Sequence, residues 1–237
     1  MDHGTDLNEL LYTVQVAENI ENLSGTLGKA ANLLGFDFFA YGFKSPYPLT
    51  SPKIDMINNY PSGWCETYCQ NEYLNVDPTV QHGLQSTLPV YWSDNLFSSI
   101  RPLWEDAQSF GLNHGWAQSC RDANGNIGML TLARSDEEIS CSELVAKSAQ
   151  FNWLVQLAHV SYSEQMKTTQ KNTSKLTARE IDILRWTAEG KSSGDIAIIL
   201  NISGRTVNFH VNNVLSKLNS ANKTSAVVQA ALTGLIR

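Results

Sequence analysis

Five side chains in the middle of the sequence have the types and spacing to hold a polar ligand. Tyr60, Trp64 and Tyr68 lie four apart, so on a continuous helix they would stack along one face, and Asp77 and Trp92 follow. Buried Tyr hydroxyls and Trp N–H groups need partners, and a buried carboxylate needs donors. A ligand with one amide N–H and two carbonyls would satisfy all of them. An aromatic row at this spacing is by itself more often plain core than ligand site, and the polar handles keep the second reading open.

A second constellation sits near the C-terminus. A helix expected over 205–218 buries Val207, Val211, Val214, Leu215 and Leu218, and shows Arg205, Asn208, Asn212, Asn213, Ser216 and Lys217 on its other face. Asn can bond adenine bidentately, and Arg or Lys can reach guanine or phosphate. A solvated surface helix has the same look, so charge is the next discriminator. Residues 174–237 hold eight Lys or Arg against four Asp or Glu, whereas the whole chain is −6. A basic segment on an acidic body suits a module that approaches phosphate while the rest does not. The excess is modest, so one copy should bind DNA weakly and a dimer on paired half-sites is expected.

Other chemistry is poorly supported. The cysteines are Cys65, Cys69, Cys120 and Cys141. Cys65 and Cys69 would share a helix face, but no CxxC or HxxxH completes a metal site, and buried free thiols are the expectation. Cys65 or Cys69 with His82 or His114 could supply a nucleophile and a base, yet no nucleophile elbow or zinc motif accompanies them. No apolar run approaches the roughly 18 residues of a membrane span. The N-terminus is acidic and shows no secretory signal, so a cytoplasmic protein without a membrane partner is expected.

The elements that must position these residues follow from periodicity and caps. Helices are expected at 7–20 and 22–34, strands at 36–43 and 54–60, and short helices over 61–71 and 77–85. A short strand at 90–92, a helix at 98–110, strands at 115–121 and 126–134, and a long helix at 140–162 complete the N-terminal part. This order suggests one antiparallel sheet with helices on both faces. The polar stretch from Tyr162 to Lys175 reads as a linker, or as a continuation of the preceding helix that then breaks up. Beyond it come four short helices. Thr177 with Glu180 forms a capping box, and Ser192 with Asp195 marks a second start. Ile181, Leu184 and Ala188 line the first of these helices, Ile196, Ile199 and Leu200 the second, and the fourth runs over 222–236. The fold class is therefore α+β: an N-terminal α/β/α sandwich around an antiparallel sheet, plus a C-terminal all-α four-helix domain.

Leu176-Thr177-Ala178-Arg179-Glu180, Leu184-Arg185-Trp186, Gly190-Lys191 and Thr206-Val207-Asn208-Phe209-His210 resemble the LuxR-type helix-turn-helix. Trp64, Tyr68, Asp77, Pro78, Trp92 and Gly115 match, in order and spacing, the positions that mark the acyl-homoserine-lactone-binding domain of LuxR-type receptors, and the likeness is to the pseudomonad group. Together the two matches cover nearly the whole chain. The resemblance implies a ligand-binding domain over 1–162, a linker over 163–175 and a DNA-binding domain over 176–237. It implies a quorum-sensing transcription regulator and not an enzyme, with no cofactor and no metal. Its ligand would be an N-acyl homoserine lactone of medium to long chain. Its partners would be promoter DNA, a second copy in a homodimer, and RNA polymerase.

By the same resemblance, Asp77 would accept the ligand amide N–H and Trp64 would donate to the lactone carbonyl. Tyr60 and Thr131 would bond the amide carbonyl, Tyr68 would close the pocket, and Trp92 would pack near the head group. Gly42, Val80, Ile127 and Met129 are the candidates for the acyl tail. Asn208, Asn212, Thr206 and Lys217 would face DNA, with Arg205 on phosphate. One departure stands out. Relatives usually carry an Ile-Pro or Met-Pro pair shortly after the match to Gly115, where this chain reads Trp116-Ala117-Gln118-Ser119-Cys120. The tail preference is therefore left open. The competing readings are a LuxR-type regulator that answers to a non-lactone compound and an enzyme acting on the lactone.

Overall fold

The computed structural model describes residues 7–169 and 175–236. They form two compact units, each described in turn.

The first unit opens with α1 (Leu7–Gln15) and α2 (Ile20–Leu33). The break between them falls earlier than expected because Asn19 caps α2, its Oδ1 accepting from the Asn22 N–H at 2.8 Å. Gly35, at φ 85°, turns the chain out of α2. Then come β1 (Phe38–Lys44), β2 (Ile54–Asn58), α3 (Trp64–Gln70), a 3-10 turn at Tyr73–Asn75, α4 (Pro78–Gln85), β3 (Val90–Tyr91), α5 (Arg101–Ser109), β4 (His114–Arg121), β5 (Ile127–Arg134) and α6 (Cys141–Thr169). The strands pair antiparallel throughout in the order β2-β1-β5-β4-β3.

Strand alternation sends side chains to two faces. Phe39, Tyr41 and Phe43 of β1, Leu130 and Leu132 of β5, and Trp116 of β4 point to one face and pack with Leu23, Leu27, Phe151, Leu154 and Ala158 of α2 and α6. Leu130 and Leu132 are wholly buried, and each contributes about 1.5–3 kcal/mol by leaving water. The alternate residues, Gly42, Met129, Thr131 and Ala133 among them, belong to the opposite face. α4 packs there against β4 and β5. The sheet is thus covered on both sides, as the element order implied.

Arg134 fastens the end of β5 to the start of α6. Its guanidinium bonds both carboxylate oxygens of Glu143, at 3.1 and 2.7 Å, and the carbonyls of Gly35, Glu137 and Glu138. The Arg134 hydrogen bonds hold the Glu143 carboxyl below its usual range. α6 runs on to Thr169, so the first part of the stretch read as a linker is helical, and 170–174 lie outside the described residues.

The second unit holds α7 (Ala178–Ala188), α8 (Ser193–Ile199), α9 (Gly204–Leu218) and α10 (Lys223–Leu232). Both expected capping boxes are present, Thr177 with Glu180 and Ser192 with Asp195. Ser203 and Asn222 cap α9 and α10. Leu184, Val214, Ala226, Ala230 and Ile236 form one cluster; Ile183, Ile196, Val207 and Val211 form another. α10 stops short of its expected end because Gly234, at φ 71°, turns Ile236 back into the core. Ile199, expected on the apolar face of α8, is 43% exposed. In so short a helix Ile196 and Leu200, one turn apart, already fill the contact with α9.

Candidate ligand site and DNA-reading face

Asp77 is the N-cap of α4, followed by Pro78, which suits the first helical position. Its Oδ1 accepts from the Thr79 N–H at 2.8 Å and from the Thr79 hydroxyl at 2.7 Å. Its Oδ2 accepts from the Tyr68 hydroxyl at 2.9 Å. The carboxylate therefore ties α3 to α4. Burial pushes the Asp77 carboxyl above its ordinary value, and the Thr79 and Tyr68 bonds offset only part of that push. Burial, and then the nearby Asp77 charge, push the Tyr60 and Tyr68 phenols up, so both remain neutral donors.

Tyr60 sits just before α3, not on it. Its backbone N–H donates to Asn58 Oδ1 at 3.1 Å, and its ring lies 6.4 Å from Phe38. Gly63, at φ 90°, supplies the left-handed turn that starts the helix. Trp64 and Tyr68 then stack edge to face one turn apart, with ring centres 5.6 Å apart. Trp92 reaches the same cluster from beyond β3, edge-on to Phe97 and Trp104 at 6.0 and 6.2 Å. Its indole Nε1 is buried with no acceptor among the described residues, whereas Trp104 Nε1 donates to Asp94 at 2.8 Å. The fold thus gathers Tyr60, Trp64, Tyr68 and Trp92 around one cluster, with Asp77 bonded to its edge.

The sheet residues form a second row. Ile127, Met129 and Thr131 alternate along β5, and Gly42 of β1 pairs with Met129. Thr131 is buried, and Ala133, next in the row, belongs to the aromatic cluster. A Cβ at Gly42 would meet nothing within 4 Å, so the sheet has open space there. At Gly83 a Cβ would come within 2.7 Å of Met129 Sδ, so α4 presses close on β5 at that point. Val80, on the same helix, is half-buried. Thr79 and Gly83 were not among the expected residues. Thr79 was within reach of sequence reading, because Asp-Pro-Thr is an N-cap followed by the donor that the cap needs.

On α9, Arg205, Asn208 and Asn212 are exposed on one face. Asn208 Oδ1 accepts from the Ser193 hydroxyl at 2.9 Å, and Ser193 accepts from Lys223 Nζ at 3.0 Å. The Thr206 hydroxyl pairs with Ser203 at 2.8 Å. Lys217 is tied to another helix. Its ammonium lies 2.7 Å from Glu180 Oε2 and donates to the Lys175 carbonyl at 3.2 Å, with the side chain still 24% exposed. Burial alone would raise the Glu180 carboxyl, but Lys217 and the Thr177 N–H outweigh it and bring the group below its ordinary value.

The cysteines also differ from expectation. Cys120 is buried and Cys65 half-buried, but Cys69 and Cys141 are exposed. Cys69 falls on the outer side of α3, and Cys141 is the first residue of α6. Among the described residues no group of three or more His, Cys, Asp or Glu is placed to hold a metal ion, and no helix is long and apolar enough to cross a membrane.

The autoinducer binding domain family matches residues 19–162, and the bacterial regulatory proteins of the luxR family match 174–230. The chain belongs to the LuxR family. Among its LuxR-family relatives is the transcriptional activator protein AnoR of Acinetobacter nosocomialis, 43% identical over 232 residues, covering 96% of this chain and 98% of AnoR. The crystal structure of Escherichia coli SdiA superposes with a TM-score of 0.86 at 34% identity, covering 98% of each chain. SdiA in complex with octanoyl-rac-glycerol gives 0.83 at 33%, covering 100% of this chain and 98% of that one. The N-acylhomoserine-lactone-dependent factor CepR2 of Burkholderia cenocepacia gives 0.62 at 28%, covering 68% of this chain and 94% of CepR2. The LuxR-family assignment makes the first unit an autoinducer-binding domain and the second a helix-turn-helix DNA-binding domain, the two parts of a quorum-sensing transcription regulator.

Proposed function

We propose that the chain is a ligand-gated regulator that binds an N-acyl homoserine lactone, dimerises and then binds a palindromic promoter site. The observation that carries this reading is Asp77, a carboxylate pushed up by burial beside Tyr60, Trp64, Tyr68 and Trp92. It accepts hydroxyl and N–H donors already, and an amide N–H from a ligand would stabilise its charged form further. In this reading Trp64 donates to the lactone carbonyl, Tyr60 and Thr131 bond the amide carbonyl, Tyr68 closes the pocket, and Trp92 packs near the head group. The acyl tail, of medium to long chain, runs along Gly42, Val80, Ile127 and Met129, where the sheet has open space at Gly42. Each buried CH2 contributes about 0.8 kcal/mol, and binding stabilises the domain by RT ln(1 + L/Kd), where L is the free ligand concentration.

Dimerisation is proposed through α6. Val145, Trp153 and Val160 recur at seven- and eight-residue spacing and are 77%, 55% and 50% exposed. That stripe opposes the positions buried against the sheet and suits a second copy of the same helix. The dimer would present two α9 helices to half-sites about one DNA turn apart. Asn208, Asn212 and Thr206 would reach base edges and Arg205 a phosphate, with RNA polymerase as a further partner on the promoter.

A second reading is favoured by the SdiA complex with octanoyl-rac-glycerol. An acyl glycerol has no amide N–H, so Asp77 would accept a hydroxyl instead. Thermal unfolding and binding to randomised duplex DNA, each measured with lactones of graded chain length and with monoacylglycerols, separate the two. The lactone reading expects a rise in Tm and in DNA binding with the same lactones. A rise with the glycerol esters alone contradicts it.

A further inference from the structure

Phe209 is out of place by the rules that order the rest of α9. Val207, Val211 and Val214 are buried, whereas Phe209 is 60% exposed. Its ring lies edge-on to the His210 imidazole, 5.5 Å away. A large apolar ring left in water forgoes its burial free energy, and the surrounding surface is polar. Arg205 lies one turn before it, Asn208 beside it and Asn212 just under one turn after it, all exposed. These neighbours can bond nucleic-acid bases or phosphate; a phenyl ring cannot.

The N-terminal part of a recognition helix is the part that meets base edges. The floor of the major groove carries one apolar feature, the thymine C5-methyl group, and Phe is among the side chains that contact it. We propose that Phe209 packs on a thymine methyl in each operator half-site and thereby sets sequence preference at that base pair. The inference rests on α9 being the DNA-reading helix, as proposed above. It adds an apolar contact that the polar face alone would not provide, and it distinguishes thymine from cytosine where an Asn contact to a neighbouring base does not.

The test uses the full chain purified with lactone. Random duplexes that it retains are sequenced to define the preferred site, and each thymine of that site is then replaced by deoxyuridine, which removes only the methyl. At one thymine per half-site, the wild-type protein should lose about fourfold in affinity, the value of one buried methyl-sized group. Phe209→Ala should bind the thymine and uracil duplexes equally, and Phe209→Leu should retain part of the discrimination. Wild-type binding that is indifferent to every uracil replacement overturns the proposal. So does a Phe209→Ala variant that distinguishes the methyl as well as the wild type does. If no sequence is enriched at all, the DNA-reading assignment of α9 itself fails, which is a separate result from an enriched site without methyl dependence.

Discussion

The Tyr68 hydroxyl donates to Asp77 Oδ2 at 2.9 Å, joining the end of α3 to the cap of α4. Hydrogen bonds to a charged group contribute about 1.5–3 kcal/mol. Tyr68→Phe should therefore lower stability by about that amount, while the Thr79 bonds keep the α4 cap in place. Losing a donor should also move the Asp77 carboxyl further upward. Asp77→Asn should behave differently: Asn caps a helix as well as Asp does, and its amide can donate to the Tyr68 oxygen in place of the bond that Asp77 accepts, so stability should change less than in Tyr68→Phe while lactone affinity falls about tenfold. Chemical denaturation alongside ligand titration of both variants checks the contrast.

Trp92 occupies the space that a side chain at residue 115 would need. A Cβ at Gly115 would clash with the Trp92 indole, and the Trp92 backbone N–H donates to the Gly115 carbonyl at 2.9 Å. Gly115→Ala should force the ring out of its cluster with Phe97 and Trp104, at a cost of about 1–3 kcal/mol. Near-ultraviolet circular dichroism should show loss of the aromatic signal before the fold is lost.

Lys217→Met removes the partner of a Glu180 carboxylate that is 2% exposed. Breaking such a pair leaves a buried charge, and about 3 kcal/mol of destabilisation is expected. Sequence preference on DNA should persist at temperatures where the variant is folded. A variant of unchanged stability with altered preference would show instead that Lys217 reads DNA.

His159 gives the first unit a pH dependence. It is buried on α6, with Nδ1 2.7 Å from the Tyr41 hydroxyl and Nε2 3.8 Å from Asp122. Burial lowers its pKa from the ordinary 6.5, with Asp122 opposing in part. A lowered value means that the neutral ring belongs to the folded state. The unfolded chain takes up the proton first, so stability is fully present above pH 6.5 and declines as pH falls from there toward the folded value. Denaturant midpoints measured between neutral and mildly acidic pH should show this slope, and His159→Gln should flatten it.

What was legible in the sequence was local. The boxes Thr177–Glu180 and Ser192–Asp195 act across three residues, and the alternation of β1 and β5 lies within each strand, so both could be read without knowing the fold. Lys217 could not, because its partner Glu180 lies on another helix and is nearby only once α7 and α9 pack. The Tyr41–His159 bond spans the sheet and α6 and leaves no pattern in the chain. Tyr60 shared the periodicity of Trp64 and Tyr68, but Pro61-Ser62-Gly63 starts the helix after it, so it reaches the cluster from a loop. The roles proposed for these residues came from resemblance. Periodicity gave only an aromatic row with a carboxylate after it, a pattern that a ligand site and a core share.

The most direct measurement is to express the full chain in cells supplied with acyl-homoserine lactones of graded chain length and to identify by mass spectrometry what copurifies. One lactone retained in near-equal amount with the protein, and lost with Asp77→Asn, is the expected result. Folded protein that carries no lactone, or that carries the same lactone after Asp77→Asn, would contradict the assignment of this site.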